Sequence, residues 1–319
     1  ILFCKNTTKN FGIDVVPFGA ISKDLKGEQL AEMFDMYNAG ALAFSDNMRP
    51  IHNSGLFSRA LLYAKNFNGL IISFPYEEKI SPNGLINEGV VSTKLGLEGI
   101  PDLSEELMVN RDLLINKYHK GRLHFNILSS KKSLEHIEVA KKTQNNLSCG
   151  TSIFHLLFDD EIINQFDNRF KILPPFRTKE DRNALLEGVK NGTIDVITSY
   201  HQPNEKETIN VEFSLSPFGS IGTQVCFPLA LTYLKEYIGL EKIVQCMSIN
   251  PRTILQCEVP IIKEGYGANM TLFNPDKKWI YNKNNNTSMS ENTGLFGTEL
   301  NGFVHGTIYE SNYHKNLLK

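Results

Sequence analysis

The chain has 319 residues, a formal net charge of −2, 41% hydrophobic residues and 21% charged residues, which is ordinary for a globular protein with a substantial core. This near-neutral balance, without a Lys/Arg cluster interleaved with aromatics, argues against nucleic acid as a partner, and no apolar run reaches the roughly 20 residues that span a membrane. The five cysteines are scattered and form no CxxC pair, so the sequence predicts reduced thiols in a cytoplasmic protein rather than disulfides or a thiolate zinc site.

Strand and helix signals alternate from the start of the chain. Apolar, β-branched runs bounded by turn residues predict strands near 14–20, 41–46, 70–74, 122–128, 147–153 and 193–199. Helical patterns fill the intervals between them. The helix before the sixth strand has a Thr178–Asp181 capping pattern at its start and Gly192 at its end.

Two earlier helices are predicted from apolar residues that recur at helical spacing. A helix over residues 25–40 is predicted to place on one face Leu30, Met33, Phe34 and Tyr37. A helix that begins near Ser54 is predicted to bury a stripe formed by Phe57, Ala60, Leu61 and Ala64.

This alternation predicts a (β/α)₈ TIM-type barrel built from βα units around a parallel sheet. Six strands are recognisable where closure needs eight, so we expect the first two strands to be absent from this chain and the chain to come from a longer polypeptide. A doubly wound open sheet is the alternative, weakened by the lack of a GxGxxG turn. From about residue 261 the sequence pattern changes to short β segments separated by Gly, Asn and Pro. The sequence therefore predicts an N-terminally incomplete barrel domain over 1–260 and a small β-sandwich over 261–319.

In such a barrel, chemistry takes place at the C-terminal ends of the strands. A metal-dependent hydrolase needs histidines and carboxylates at these ends. The residues at these ends are Asp46 and Asn47, Phe74, Ile127, and Ser199 to His201. A single histidine is more often a hydrogen-bonded structural residue than a ligand, and the sequence contains neither a GxSxG nor an HExxH motif. The residues alone predict an enzyme-like scaffold without a recognisable active site.

Several segments resemble bacterial type I dihydroorotases of the amidohydrolase superfamily. They are "AFSDNMRPI", "INEGVVSTKLGLEGIPDLSEELMVNRD", "FKILPPFRTKEDRNALLEGVKNGTIDVITSYHQPNEKE", "SPFGSIG" and "GANMTLFNPDKKW". The resemblance follows the same order over nearly the whole chain. It implies a fold whose active members bind zinc and hydrolyse a cyclic amide.

Transferred motif by motif, the resemblance implies that the active-site positions have changed. Asn47 takes the place of the metal-bridging aspartate, Phe74 and Ile127 those of two ligand histidines, and Tyr200 that of the catalytic aspartate. The further positions that correspond to the substrate pocket or its surroundings are Leu173, Asn204, Phe218 and Gly219. We therefore expect a degenerate, noncatalytic member without zinc or another cofactor, whose His201 forms a structural hydrogen bond.

Such relatives are known in the family as structural partners of aspartate transcarbamoylase. The resemblance thus implies an assembly role in pyrimidine biosynthesis, with a homodimer and aspartate transcarbamoylase as the expected partners. A working dihydroorotase or other cyclic amidohydrolase is the first alternative. The second is a small-molecule binding module that uses Arg177, His201 and Asn204 in the pocket that corresponds to the substrate site of active family members. Arg177 is also compatible with a purely structural ion pair beside Asp181.

Overall fold

The computed structural model describes residues 1–8, 11–310 and 312–316. The strands are β1 (Ala43–Phe44), β2 (Leu70–Ser73), β3 (Ile86–Asn87), β4 (Gly99–Ile100), β5 (Arg122–Phe125), β6 (Leu147–Ser152), β7 (Val196–Thr198), β8 (Ala268–Ile280), β9 (Glu299–Glu310) and β10 (Asn312–Lys315). The α-helices are α1 (Leu2–Thr8), α2 (Met33–Asn38), α3 (Ser54–Lys65), α4 (Val90–Leu95), α5 (Leu103–His119), α6 (Lys131–Lys141), α7 (Ile153–Leu157), α8 (Lys179–Asn191), α9 (Lys206–Ile209), α10 (Cys226–Tyr233), α11 (Lys235–Ile238), α12 (Leu240–Val244) and α13 (Asn250–Leu255). Within these described ranges, no helix is long and apolar enough to span a membrane.

The central sheet has five parallel strands in the order β1-β2-β5-β6-β7. The order follows the chain in one direction without reversal, as in a barrel and unlike a doubly wound sheet. Beyond β1, the strand predicted over 14–20 is reduced to a single parallel bridge between Gly19 and Phe44. The other five predicted strands are all present, each somewhat shorter than expected.

Helices cover the outer side of the sheet and build the main core. The stripe predicted on α3 is confirmed, since Phe57, Ala60, Leu61 and Ala64 are buried. The prediction for residues 25–40 is wrong in extent, because helix α2 covers only Met33–Asn38 and leaves Phe34 and Tyr37 exposed. The chain before α2 is instead held by a bridge between Ser22 and Leu30.

The C-terminal region forms a three-stranded antiparallel sheet in the order β10-β9-β8. It is the predicted β appendage, of which the described residues supply one layer. It packs on α10, where Asn301 N donates to Thr232 Oγ1 at 2.8 Å and Leu231 lies against Gly302. Tyr281 and Leu300 belong to the same hydrophobic cluster as the barrel core. The division into domains at residue 260 stays a prediction.

Candidate functional site

The site expected from the sequence lies where the parallel strands end. Because parallel strands share one C-terminal edge, the residues that follow β1, β2, β5 and β7 meet at a common mouth. Of the expected residues, Asn47 follows β1, Phe74 follows β2, Ile127 follows β5, and Tyr200 and His201 follow β7.

The residues that follow β1 form hydrogen bonds to the backbone of a neighbouring loop. The buried carboxylate of Asp46 accepts hydrogen bonds from Ile21 N at 2.8 Å and Ser22 N at 2.9 Å, and from the Ser22 hydroxyl. Asn47 itself is exposed and has a left-handed φ of 59°, a conformation that asparagine tolerates well. Asp46 therefore ties the loop at 21–22 to the end of β1, while the amide of Asn47 is in contact with solvent.

An apolar cluster, here called the mouth cluster, occupies the region beyond β2. Its buried members are Phe74, Tyr76 and Ile100, with Met48, Leu173 and Phe218 packed against them. The rings of Phe74 and Tyr76 lie 6.1 Å apart, and Phe74 is only 3% exposed. The resemblance assigned Phe74, Leu173 and Phe218 to separate motifs. In the fold, these three side chains lie in one hydrophobic cluster.

Tyr200 is buried, and its hydroxyl forms two hydrogen bonds with the backbone of Leu173. The hydroxyl accepts from Leu173 N at 2.8 Å and donates to Leu173 O at 2.9 Å. Burial raises the pKa of this phenol, so it stays protonated at neutral pH. Ile127 is also buried and is part of the main core. Neither side chain offers an ionised group to the mouth.

His201 does not belong to the mouth cluster and instead lines a separate cavity. Its Nδ1 accepts from Gly222 N at 3.2 Å and from Thr223 N at 3.4 Å, so the predicted structural hydrogen bond is confirmed. Burial lowers the pKa of this imidazole and favours the neutral ring. The imidazole lines a cavity of about 400 Å³ together with Gln224 and Tyr281.

The remaining loop positions make short-range contacts that fix the mouth loops. The Asn204 side-chain amide donates to Phe218 O at 3.2 Å. Gly219 N donates to Lys171 O at 2.9 Å, and its φ of 142° favours glycine. These contacts connect the loop after β7 to the loops at 171 and 218.

Arg177 is 3% exposed and is the centre of a buried polar group that we call the Arg177 network, comprising Arg177, Asn87, Glu105, Ser129 and Asp160. Arg177 Nη1 donates to Asn87 Oδ1 at 3.0 Å and to Ile100 O at 2.5 Å, and Nε donates to Ser129 Oγ at 3.2 Å. The pairing of β3 with β4 places Asn87 beside Ile100. Arg177 forms no hydrogen bond to Asp181, whose carboxylate instead caps α8 through Thr178.

The network contains two carboxylates. Asp160 accepts from Asn87 Nδ2 at 2.9 Å, and Glu105 is the one that interacts electrostatically with Arg177. Its carboxylate accepts from Ser129 N at 3.1 and 3.0 Å and from Ser130 N at 3.1 Å. Burial raises the pKa of Glu105, while the nearby Arg177 charge lowers it. Burial also lowers the pKa of Arg177, an effect that Glu105 opposes. The two charges therefore stabilise each other inside the protein.

Lys171 is a buried residue of this region that sequence reasoning missed. It is 2% exposed, and its ammonium donates to Phe213 O at 2.7 Å and to Ser216 O at 2.6 Å. The same group lies 5.0 Å from the ring centre of Phe218. Burial lowers its pKa to about 8. The available signal was a lysine within the otherwise apolar run "FKILPPF".

The donor chemistry of the four expected ligand or base positions can be compared with what zinc requires. Zinc sites use imidazole, thiolate or carboxylate ligands. Asn47, Phe74, Ile127 and Tyr200 supply an exposed amide, a phenyl ring, an alkyl chain and a protonated phenol. These side chains do not fit a zinc centre. In the described part of the chain, no group of three or more His, Cys, Asp and Glu side chains is arranged to hold a metal ion.

The amino-acid sequence is similar to a known protein family and to curated proteins of that family. Residues 4–133 match a family model described as dihydro-orotase-like. The chain is 36% identical over 310 residues to the dihydroorotase of Acetivibrio thermocellus, covering 96% of this chain and 73% of that protein. It is 39% identical over 299 residues to the dihydroorotase of Caldicellulosiruptor saccharolyticus, covering 93% of this chain and 70% of that protein.

Among solved structures, the L-hydantoinase (dihydropyrimidinase) from Arthrobacter aurescens superposes with a TM-score of 0.82 at 18% identity, covering 97% of this chain and 72% of that chain. This likeness confirms the predicted barrel with its β appendage. The sequence identity to the two dihydroorotases extends over almost the whole chain. The chain therefore belongs to the dihydroorotase-like family.

Proposed function

We propose that this chain is a metal-free, noncatalytic member of its family that serves pyrimidine biosynthesis as a structural or assembly partner. The mouth cluster is the observation that supports this proposal. Phe74 stands where the resemblance expects a ligand histidine, and it packs against Tyr76, Ile100, Leu173 and Phe218. A metal-activated water and a carboxylate to move its proton both need polar groups at this place.

A working dihydroorotase is the second candidate, and the names of the relatives favour it. It requires ligands other than the side chains at the four expected positions. The third candidate, a binding module in the old pocket, has less support. Arg177 is enclosed in its own network and His201 lines a separate cavity, so these two residues and Asn204 do not converge on one ligand.

Metal content and activity together test the proposal. Zinc is measured by elemental analysis of the purified full-length protein, and dihydroorotate formation from carbamoyl aspartate is followed in parallel. The dihydroorotase of Acetivibrio thermocellus, prepared in the same way, is the positive control. We expect neither bound zinc nor turnover from this protein. Near-stoichiometric zinc, or turnover that a chelator abolishes, would establish the second candidate instead.

Single restorations sharpen this test. Tyr200→Asp returns one carboxylate to the mouth, but Phe74 and Ile127 still provide no metal donor. We therefore expect this variant to remain without zinc and without activity. Activity in the Tyr200→Asp variant would mean that the other ligands are present and that the position-by-position comparison is wrong.

The proposed partners are a second copy of the chain and aspartate transcarbamoylase, in the cytoplasm. Sedimentation of the full-length protein alone and mixed with aspartate transcarbamoylase tests both at micromolar concentration. We expect a homodimer alone and a heavier species in the mixture. Independent sedimentation of the two proteins in the mixture would contradict the assembly role.

A further inference from the structure

Helix α5 carries an apolar stripe on its outer face. Leu103, Leu107, Leu114 and Tyr118 are 50%, 48%, 70% and 83% exposed. At 100° per residue these four side chains fall within about 60° around the helix axis. The opposite face of the same helix is buried through Met108 and other residues. Single exposed leucines are common, but four exposed apolar side chains on one helix stripe are a pattern that marks an interaction site.

The stripe has a symmetry of its own. Leu103 and Tyr118 form its outer pair and Leu107 and Leu114 its inner pair, and both pairs are centred between residues 110 and 111. If a second copy of the helix lies antiparallel across a twofold axis at that centre, Leu103 faces the second Tyr118 and Leu107 faces the second Leu114. A twofold interface requires this relation, in which one patch is complementary to itself.

The neighbouring helices widen this surface. Helices α3 and α6 pack on either side of α5, and their outward residues Leu62 and Val139 are 52% and 66% exposed. A 17-residue helix is about 25 Å long. Three helices spaced about 10 Å apart therefore present an area on the order of 800 Å², the amount that each partner buries in a stable protein interface.

We propose that α5, flanked by Leu62 and Val139, is the surface on which a second copy of this chain binds about a twofold axis. This names the surface of the homodimer proposed above and depends on that homodimer. Asn110 lies beside the axis, where a polar residue in an apolar helix seam fixes the register. Its side-chain amide donates to Glu106 O at 3.1 Å within its own helix.

Charge substitutions in the stripe test this surface. Leu107→Asp and Leu114→Asp are each compared with Leu215→Asp, which changes a leucine that is 72% exposed outside the helix. Sedimentation over a concentration series should give a dimer for the unchanged protein and for Leu215→Asp. We expect dissociation constants at least 100-fold weaker for the two α5 variants, because a charge cannot be buried at the inner pair without a partner. Circular dichroism checks that each variant is folded.

A covalent test does not depend on weakening the dimer. Antiparallel helices 8–10 Å apart bring facing Cα atoms near the axis within roughly 4–6 Å, which a disulfide can span. We expect the double variant Leu107→Cys with Leu114→Cys, the facing inner pair, in a background with Cys4→Ser and Cys257→Ser, to oxidise to a covalent dimer. Lys94→Cys, exposed on α4, is the control and should remain monomeric on denaturing gels.

Two results would overturn the proposal, and they differ in what else they affect. A dimer that neither α5 aspartate substitution weakens, and that the double variant Leu107→Cys with Leu114→Cys does not cross-link, would exclude this surface but keep the homodimer. A monomeric unchanged protein would exclude both. Neither result bears on zinc content or activity, so the noncatalytic role is tested separately.

Discussion

The mouth cluster and the Arg177 network lie side by side and have opposite chemical character. Ile100 connects the two, since its side chain belongs to the mouth cluster with Phe74 while its carbonyl accepts a hydrogen bond from Arg177. On one side of Ile100, the mouth cluster is apolar, including Phe74 at a position that the resemblance assigns to a ligand histidine. On the other side lie two buried residues of opposite charge, Arg177 and Glu105, each with several hydrogen bonds. Buried charge therefore occurs in this region where it holds loops in place, and the neighbouring surface is packed with hydrophobic side chains.

The physical reason is that burying a polar group costs free energy unless its atoms find hydrogen-bond partners. In Arg177, Nε and Nη1 have such partners, whereas the buried Nη2 has none in the described structure. Glu105 and Arg177 hold the ends of β3, β4 and the loop after β5, so the loss of either would leave backbone and charge unsatisfied. Phe74 instead packs among hydrophobic side chains, where burial of the ring contributes the stability. We therefore expect the network and the mouth cluster to respond differently to substitution.

The largest effect is expected from Arg177→Met. This change keeps most of the side-chain volume but leaves the Glu105 carboxylate without its buried countercharge, which costs about 4 kcal/mol. Urea unfolding measures the loss. The matched control is Arg169→Met, an exposed arginine paired with Asp167 at 2.7 Å, for which we expect less than about 1 kcal/mol. Equal effects in the two variants would mean that the network contributes no more than a surface ion pair.

A somewhat smaller loss is expected from Phe74→Ala in the mouth cluster. Removing a ring that is 97% buried leaves a cavity, and such changes cost about 3 kcal/mol. Phe3→Ala, which removes a ring that is 80% exposed, is the control and should be nearly neutral. Unfolding in urea compares the two. A neutral Phe74→Ala would mean that the mouth is open rather than packed.

The sequence predicted those parts of the fold whose signals are local. The Thr178–Asp181 capping box and the α3 stripe depend on residues three or four positions apart, and both are present. The strand over 14–20 depends on pairing with β1, which has only two residues, so a single bridge forms there. Helix α2 starts late because the chain before it is held by Ser22 and Asp46.

The site was predictable only in part. The residue types at the strand ends follow from the sequence, as the positions of Phe74 and Tyr200 illustrate. Their neighbours do not, because the contacts join distant segments. The sequence leaves Arg177 as either a pocket residue or an ion-pair partner of Asp181, yet its side chain binds Asn87, 90 residues away, and Ser129, 48 residues away. Lys171 was overlooked because its partners are backbone carbonyls, which leave no trace in the sequence.

The free energy of unfolding should decrease in mild acid because of one buried histidine. His155 is buried beside the mouth, donates to Pro174 O at 3.0 Å, and has its pKa lowered to about 4, mainly by burial and further by the Arg177 charge. The unfolded chain, with a pKa near 6.5, binds the proton first as pH falls. Stability is therefore full above about pH 6.5 and declines toward pH 4. Between pH 7.5 and pH 5 this histidine should account for a loss of about 2 kcal/mol.

A variant comparison isolates this histidine from other groups. Buried His124, whose pKa is lowered to about 3, adds a loss of the same sign, whereas buried Asp112, whose pKa is raised to about 6, opposes it. His155→Gln keeps a hydrogen-bond donor but does not titrate in this range. The difference in unfolding free energy between pH 7.5 and pH 5 should be smaller in this variant. An unchanged difference would mean that His155 does not resist protonation.

The smallest effect is expected from Tyr200→Phe, which removes only the hydroxyl that binds Leu173. The ring keeps its packing against Phe154, 6.2 Å between ring centres, so no large cavity forms. The amide and carbonyl of Leu173 each lose a partner, and the cost should be about 1 kcal/mol. Tyr63→Phe, on the outer helix α3, is the control. If Tyr200→Phe costs as much as Phe74→Ala, the hydroxyl rather than the apolar packing holds the mouth together.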